Sequence, residues 1–294
     1  MTPRRVLAVL ALAELLAMAP WFSASAVAPA LVRVWQLSPA TTAWLTISVQ
    51  LGFVAGALVS ATLTLADRLS ARRLVAGSAM IAATASLGVA TASGITLGIV
   101  FRLLTGAALA GVYPPGMKIA AGWFKEGRGW AIGILVGALT LGSASPHLVR
   151  WAVPATAWRV VLVVAALAAL AGGLLVLLVP NDGPYAAPSP PFSLAAAPRI
   201  LSDRAVALAN LGYLGHMWEL YAMWTWIPVF VAESERAHLG AHADVTARAA
   251  LVTFAVVGSG AIGCWLGGKY ADARGRTRRS RAQPQTPTVR RTNA

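Results

Sequence analysis

Residues 14–18 read ELLAM and residues 219–223 read ELYAM. In each copy a glutamate stands inside a long apolar run. Setting position n against n+205 also aligns Trp21 with Trp226. The same offset puts Asp67 on Asp272, Ala66 on Ala271 and Arg73 on Arg278. One offset that serves two separate motifs reads as an internal duplication.

The hydrophobic fraction is 57%, the charged fraction 12% and the mean hydropathy +0.68, far from the balance of a soluble domain. Apolar runs long enough to cross a bilayer as helices recur at about 6–31, 39–65, 72–93, 96–120, 129–150, 157–180, 204–231 and 246–270. The expectation is therefore an all-α integral membrane protein with about eight transmembrane helices. No run alternates with the period of two that a membrane barrel requires.

The net charge of +14 does not mark a nucleic-acid binder, because the basic residues lie between the spans instead of on one polar module. With the N-terminus inside, cytoplasmic segments hold 17 of them and outer segments five. That bias orients the chain with both termini in the cytoplasm. Cys264 stands alone inside the eighth span, so neither a disulfide nor a cysteine metal site is implied. The start resembles a secretory signal, with an Arg pair, an apolar stretch and SASAVAPA. Glu14 interrupts that stretch, and a removable signal has no reason to repeat downstream.

Repeats of several spans are how many secondary transporters are built, with the solute site near the midplane between them. The seventh span restarts the pattern, so the unit holds six. The expected organisation is a six-helix bundle over 1–180, a cytoplasmic loop over 181–203, two helices of a second bundle over 204–272 and a basic, disordered tail over 273–294. Two full units would make about 400 residues in twelve spans, against 294 here, which reads as a truncation or frameshift. The alternative is a natural eight-span protein whose basic tail meets anionic lipid.

Two loops carry a family resemblance. LADRLSARRL at 65–74 and GGKYADARGRTRR at 267–279 are similar to the signature loop of the major facilitator superfamily. The second copy matches at Gly268, Asp272, Gly275, Arg276 and Arg278. The first keeps Asp67, Arg68, Arg72 and Arg73 but has Leu63, Ser70 and Ala71 where the pattern has glycines and an arginine. FRLLTGAALAG at 101–111 resembles the superfamily's fourth-helix motif through Arg102, Gly106 and Gly111, and GILVGALTLGSASP at 133–146 partly resembles an exporter motif. The resemblance implies a superfamily-type bundle that moves a small solute by alternating access, with Asp67 and Asp272 latching the cytoplasmic gate. The bland reading is that these aspartates only cap helices.

Counting about 1.5 Å per residue from Arg5, Glu14 lies roughly 14 Å deep, near the middle of a ~30 Å core. Glu219 lies 15 residues beyond Arg204, also near the middle. A charged carboxylate there costs about 2.5–3.5 kcal/mol even on a lenient scale, which favours the protonated acid and suits a proton carrier. Glu14, Met18 and Trp21 share one helical face, and His216, Glu219, Met223 and Trp226 share another. Both faces read as cavity walls; the alternative is ordinary packing between helices.

Arg102 reads as a counter-charge to Glu14 or Glu219, or as an anchor for an anionic solute. Lys118 reads as snorkelling to headgroups, and His147 and Arg150 as interfacial anchors. GSGAIG at 258–263 satisfies a dinucleotide pattern but lies in an apolar span without a preceding strand. Glycine pairs such as 52/56, 133/137 and 263/267 read as sites of close helix approach. No enzyme chemistry, cofactor or metal is implied. The expected partners are a small solute, protons and the bilayer, in the cell membrane; the alternative is a non-transporting fragment or membrane interaction partner.

Overall fold

The structure, a computed structural model, describes residues 1–186, 198, 202–240 and 242–274. Gly275, Arg276, most of the central segment and the tail whose disorder was expected lie outside the described residues. The described chain runs through α1 Pro3–Ala17, α2 Ser23–Ala26, α3 Ala28–Trp35, α4 Pro39–Thr62, α5 Leu65–Arg68 and α6 Ala71–Thr91. It continues through α7 Ile95–Leu109, α8 Tyr113–Trp123, α9 Arg128–Ala152, α10 Trp158–Val176, α11 Arg204–Leu239 and α12 Thr246–Arg274. No strand occurs among the described residues. Proline stands in the first turn of α1, α3, α4 and α8, where its missing N–H is one that a helix start leaves unpaired anyway.

Among the described residues, six helical stretches are long and apolar enough to cross a membrane: 39–62, 71–91, 95–123, 128–152, 155–176 and 246–274. The other two expected spans differ for physical reasons. Run 6–31 is divided, because Pro20 has no N–H to continue the α1 ladder and would crowd the carbonyl four residues back. The chain turns through residues 18–22 before α2 and α3 resume. Run 204–231 lies within α11, 36 residues long, which carries Arg204, His216, Glu219, Glu233, Glu235 and Arg236.

Successive passes reverse direction, so the bundle has two ends. The N-terminal end holds Pro3, Asp67, Lys118, Arg128 and Asp272, and the opposite end holds residues 36–38, Arg150 and the α11–α12 connection. Val6, Leu7, Leu10, Ala13 and Ala17 make one face of α1 and are buried. That face enters the main core, where α1 packs on α10 and α9. The pairs α4·α7 and α6·α10 complete this half, and α12 runs along α9.

Lipid is as apolar as a leucine side chain, so close backbone contact contributes much of the attraction between such helices. On α9, a Cβ at Gly133 would lie 2.5 Å from the Cys264 carbonyl oxygen of α12. Gly52 and Gly56 likewise face the α7 backbone at Leu103 and Ala107. The expected pair 263/267 does not act this way: a Cβ at either meets nothing, and Gly268 takes the contact. Gly133→Val should therefore lower stability by about 1–3 kcal/mol through overpacking, while Gly263→Val stays within about 0.5 kcal/mol. Thermal unfolding in detergent checks the pair, and equal melting of the two variants would contradict the packing.

Candidate functional site

The break after α1 leaves carbonyls that no helix ladder uses, and Arg102 of α7 meets them. Its Nη1 donates to the Pro20 carbonyl at 2.8 Å, its Nη2 to the Trp21 carbonyl and its Nε to the Leu45 carbonyl at 3.0 Å. The side chain is 1% exposed. All three guanidinium nitrogens are thus occupied by backbone, and no carboxylate pairs with it among the described residues. Arg102 ties α7, α4 and the broken first pass together; the structure does not place it as a counter-charge for Glu14 or Glu219.

Glu14 lies one turn before the break. It is 4% exposed, and its Oε1 is buried without a hydrogen-bond partner among the described residues. Gly116 of α8 makes the room: a Cβ there would lie 2.8 Å from Oε2. Met18 and Trp21, in the turn that follows, are buried as well. Trp21 stacks on Tyr221 of α11, with ring centroids 5.9 Å apart and planes 10° apart. Phe22 meets Trp224 edge-on at 5.6 Å, and Phe53 leans on Trp21 at 4.9 Å. These rings join the first pass to α11.

The second predicted face does not share the enclosure of Glu14. His216 and Glu219 are exposed, as are Met223 at 39% and Trp226 at 66%. The buried residue of α11 is Trp224, with Tyr221 and Leu220 partly covered, because these rings fit against Trp21 and Phe22. Repeat-related residues therefore do not occupy equivalent environments. Glu14 is enclosed and Glu219 is not.

Beyond the rings, toward the opposite end, lies a cavity of about 690 Å³. Ser25 and Thr46 line it with their hydroxyls 2.8 Å apart, and His147 and Arg150 of α9 line it too. Trp226, Pro228 and Val229 of α11 form the facing apolar wall. His147 and Arg150, near the end of α9, each expose only 4% of their surface.

At the N-terminal end, Asp272 of α12 accepts from the Gly129 amide at 2.9 Å and the Trp130 amide at 2.7 Å. α9 has no side-chain cap of its own, since its N-cap is Gly127 with φ +66°. A carboxylate from another helix fills that role, and the positive end of the α9 dipole favours it. Gly268 brings the helices close enough, for a Cβ there would strike the Gly129 carbonyl. Asp67 pairs instead with Lys118 at 2.7 Å, and Lys118 also donates to the Ala66 carbonyl, so this lysine is paired and does not simply snorkel. Arg72 donates to the Val179 and Pro180 carbonyls beyond α10, while Arg68 and Arg73 are exposed.

Tyr221, Trp224, Gly116 and the cavity pair His147 and Arg150 carry roles that the sequence alone did not single out. Aromatics at 218, 221, 224 and 226 cover several faces of α11, so periodicity does not choose among them. His147 and Arg150 are three apart on α9, a spacing that does announce a shared face.

Helices that repeatedly cross an apolar bundle around a buried acid and a solute-sized cavity define a multi-pass membrane protein. Residues 10–282 match the Major Facilitator Superfamily, and the chain belongs to that family. The niacin transporter NiaP of Acinetobacter baylyi is 27% identical over 165 residues, which cover 53% of this chain and 35% of that protein. A crystal structure of a bacterial homologue of the human lysosomal transporter Spinster, inward-facing and unoccupied, shares the fold with a TM-score of 0.63 at 18% identity. That match covers 93% of this chain and 63% of the other.

Two substitutions test this geometry. Arg102→Leu removes three buried hydrogen bonds and leaves the Trp21 carbonyl without a donor, and should lower stability by about 3 kcal/mol, with Arg102→Lys in between, because one ammonium cannot reproduce the fork. Unchanged thermal melting of Arg102→Leu would refute the bridge. Asp272→Ala should expose the start of α9, raising amide exchange at Gly129 and Trp130 and costing about 0.5–2 kcal/mol. Wild-type protection at those two amides would show that the cap is not made.

Proposed function

We propose that the complete machinery to which this chain contributes carries a small solute across the cell membrane by alternating access, coupled to protons through Glu14. The charge bias between segments supports placing the N-terminal end in the cytoplasm. The cavity then opens toward the outside, and the Asp272 cap and the close α9–α12 contact lie on the cytoplasmic side. Separation of α9 from α12 would open the cytoplasmic side, with Asp272 as the latch and Asp67 with Lys118 as its counterpart near the other loop. The niacin-transporting relative supports a small solute.

The observation that carries the reading is the Glu14 carboxyl, buried against Gly116 with one oxygen unpartnered among the described residues. An acid so placed is stable in the apolar interior when protonated and costs several kcal/mol when charged and unpaired. Proton binding and release thus become linked to whether water or solute reaches the site. Glu219, exposed on α11, does not share this environment, so the proton role falls on Glu14.

A second reading is a membrane interaction partner. His216 and Glu219 are polar, exposed and midway along α11, positions that favour a protein neighbour over lipid. Reconstituted vesicles with an internal pH dye, challenged with a panel of small carboxylates and amides, separate the readings. Solute-driven proton movement should fall at least about tenfold in Glu14→Gln and persist in Glu219→Gln. Equal behaviour of the two variants would remove Glu14 from the mechanism, and no solute movement in the wild type would favour the interaction partner.

A further inference from the structure

We propose that the His147 and Arg150 wall of the large cavity is a subsite for a small organic monoanion, a carboxylate attached to an apolar body. The proposal names a solute class for the transport reading and rests on that reading for its physiological use.

Two buried arginines differ in how much of their guanidinium is occupied. Arg102 gives every nitrogen to backbone carbonyls. Arg150 uses Nη1 alone, which donates to the Val153 carbonyl at 2.8 Å and the Pro154 carbonyl at 3.2 Å. Its Nε and Nη2 have no acceptor among the described residues, although the side chain is only 4% exposed and lines the cavity. Those two nitrogens form the edge that holds a carboxylate through two parallel hydrogen bonds. That edge is open to the cavity, whose lining is largely apolar, so an anion bound there meets less screening than one beside an arginine on an open surface.

Neighbouring charges leave the site positive. Arg236 and Glu233, both on the cavity, pair with each other at 2.6 Å. Arg248 pairs with Glu235 at 3.3 Å. Asp244, in the α11–α12 connection, is held below the usual carboxylate range by the Thr246 hydroxyl and amide, with Arg150 and Arg33 acting in the same direction. Asp244 lies in the field of both arginines but beyond ion-pair distance of either. One aspartate against two arginines leaves this corner of the cavity with one positive charge in excess.

The rest of the cavity sets the ligand's shape. His147, three residues before Arg150 and equally buried, has no hydrogen bond to a described residue and offers a second polar contact. The Ser25–Thr46 hydroxyl pair adds another. Across from them stand Trp226 and Val229, which suit an apolar or aromatic body.

Calorimetric titration of the purified full chain with benzoate and with benzamide, its neutral analogue, tests the assignment. Benzoate should bind about tenfold tighter or more, a difference of about 1.4 kcal/mol. Arg150→Gln should abolish that preference, Arg150→Lys should keep part of it, and Trp226→Ala should weaken both ligands alike. Equal binding of the two ligands by the wild type would overturn the subsite, and so would an intact preference in an Arg150→Gln protein. If Arg150→Gln fails to fold, the wild-type comparison still decides, because it needs no variant. Equilibrium binding requires no transport cycle. Benzoate preference retained in Glu14→Gln therefore upholds the subsite even where proton coupling fails, and its absence alongside normal proton movement removes the subsite alone.

Discussion

A guanidinium inside an apolar bundle must be met by acceptors, and those around Arg102 are available largely because the first pass stops being a helix. The interruption at Pro20 frees the Trp21 carbonyl, which would be costly to bury unpaired, and turns the Pro20 carbonyl, shared with Ser23, toward the same place; Arg102 has donors that would be costly to bury alone. Each makes the other tolerable. The third bond, to Leu45, brings in α4, so one side chain fixes three segments distant in sequence. The positions of Trp21 and Phe22 follow from that arrangement, and with them the contact to Tyr221 and Trp224. Glu14, one turn earlier, is left in the enclosed space below.

The cations of this chain divide by the number of acceptors that each finds. Arg102 is saturated by backbone, Arg72 finishes the turn after α10, and Lys118 is shared between a carboxylate and a carbonyl. Arg150 is half satisfied, in a place that water-sized and larger molecules can reach. Exposed surface alone does not separate Arg102 from Arg150, since both show little of it. Unfilled donor geometry does.

Much of the fold was legible in the sequence. Composition announced the membrane, the spacing of apolar runs placed most helices within a few residues, and the loop motifs pointed to the family that residues 10–282 match. Local rules read less well where two requirements competed. The 6–31 run is apolar throughout, yet Pro20 divides it, and only the structure shows Arg102 making that division tolerable. The repeat drew attention to two glutamates by analogy, yet Glu14 is buried and Glu219 is exposed. The rotation of α11 is decided by which aromatic rings fit against Trp21 and Phe22, a matter of tertiary packing that no single helix encodes. Gly263 and Gly267 failed as contact residues for a similar reason: the facing side of α12 is chosen by α9, and it runs through Gly268, Cys264 and Ala261.

The shared cap between Asp272 and α9 has a consequence for populations. Because α9 begins at a glycine without a side-chain cap, its first amides can be satisfied by the carboxylate when the helices touch and by water when they part. The difference between those two conditions is about 0.5–2 kcal/mol, not the several kcal/mol of a buried ion pair. On its own it tilts a two-state equilibrium by roughly two- to thirtyfold, enough to favour one arrangement and still leave the other within thermal reach.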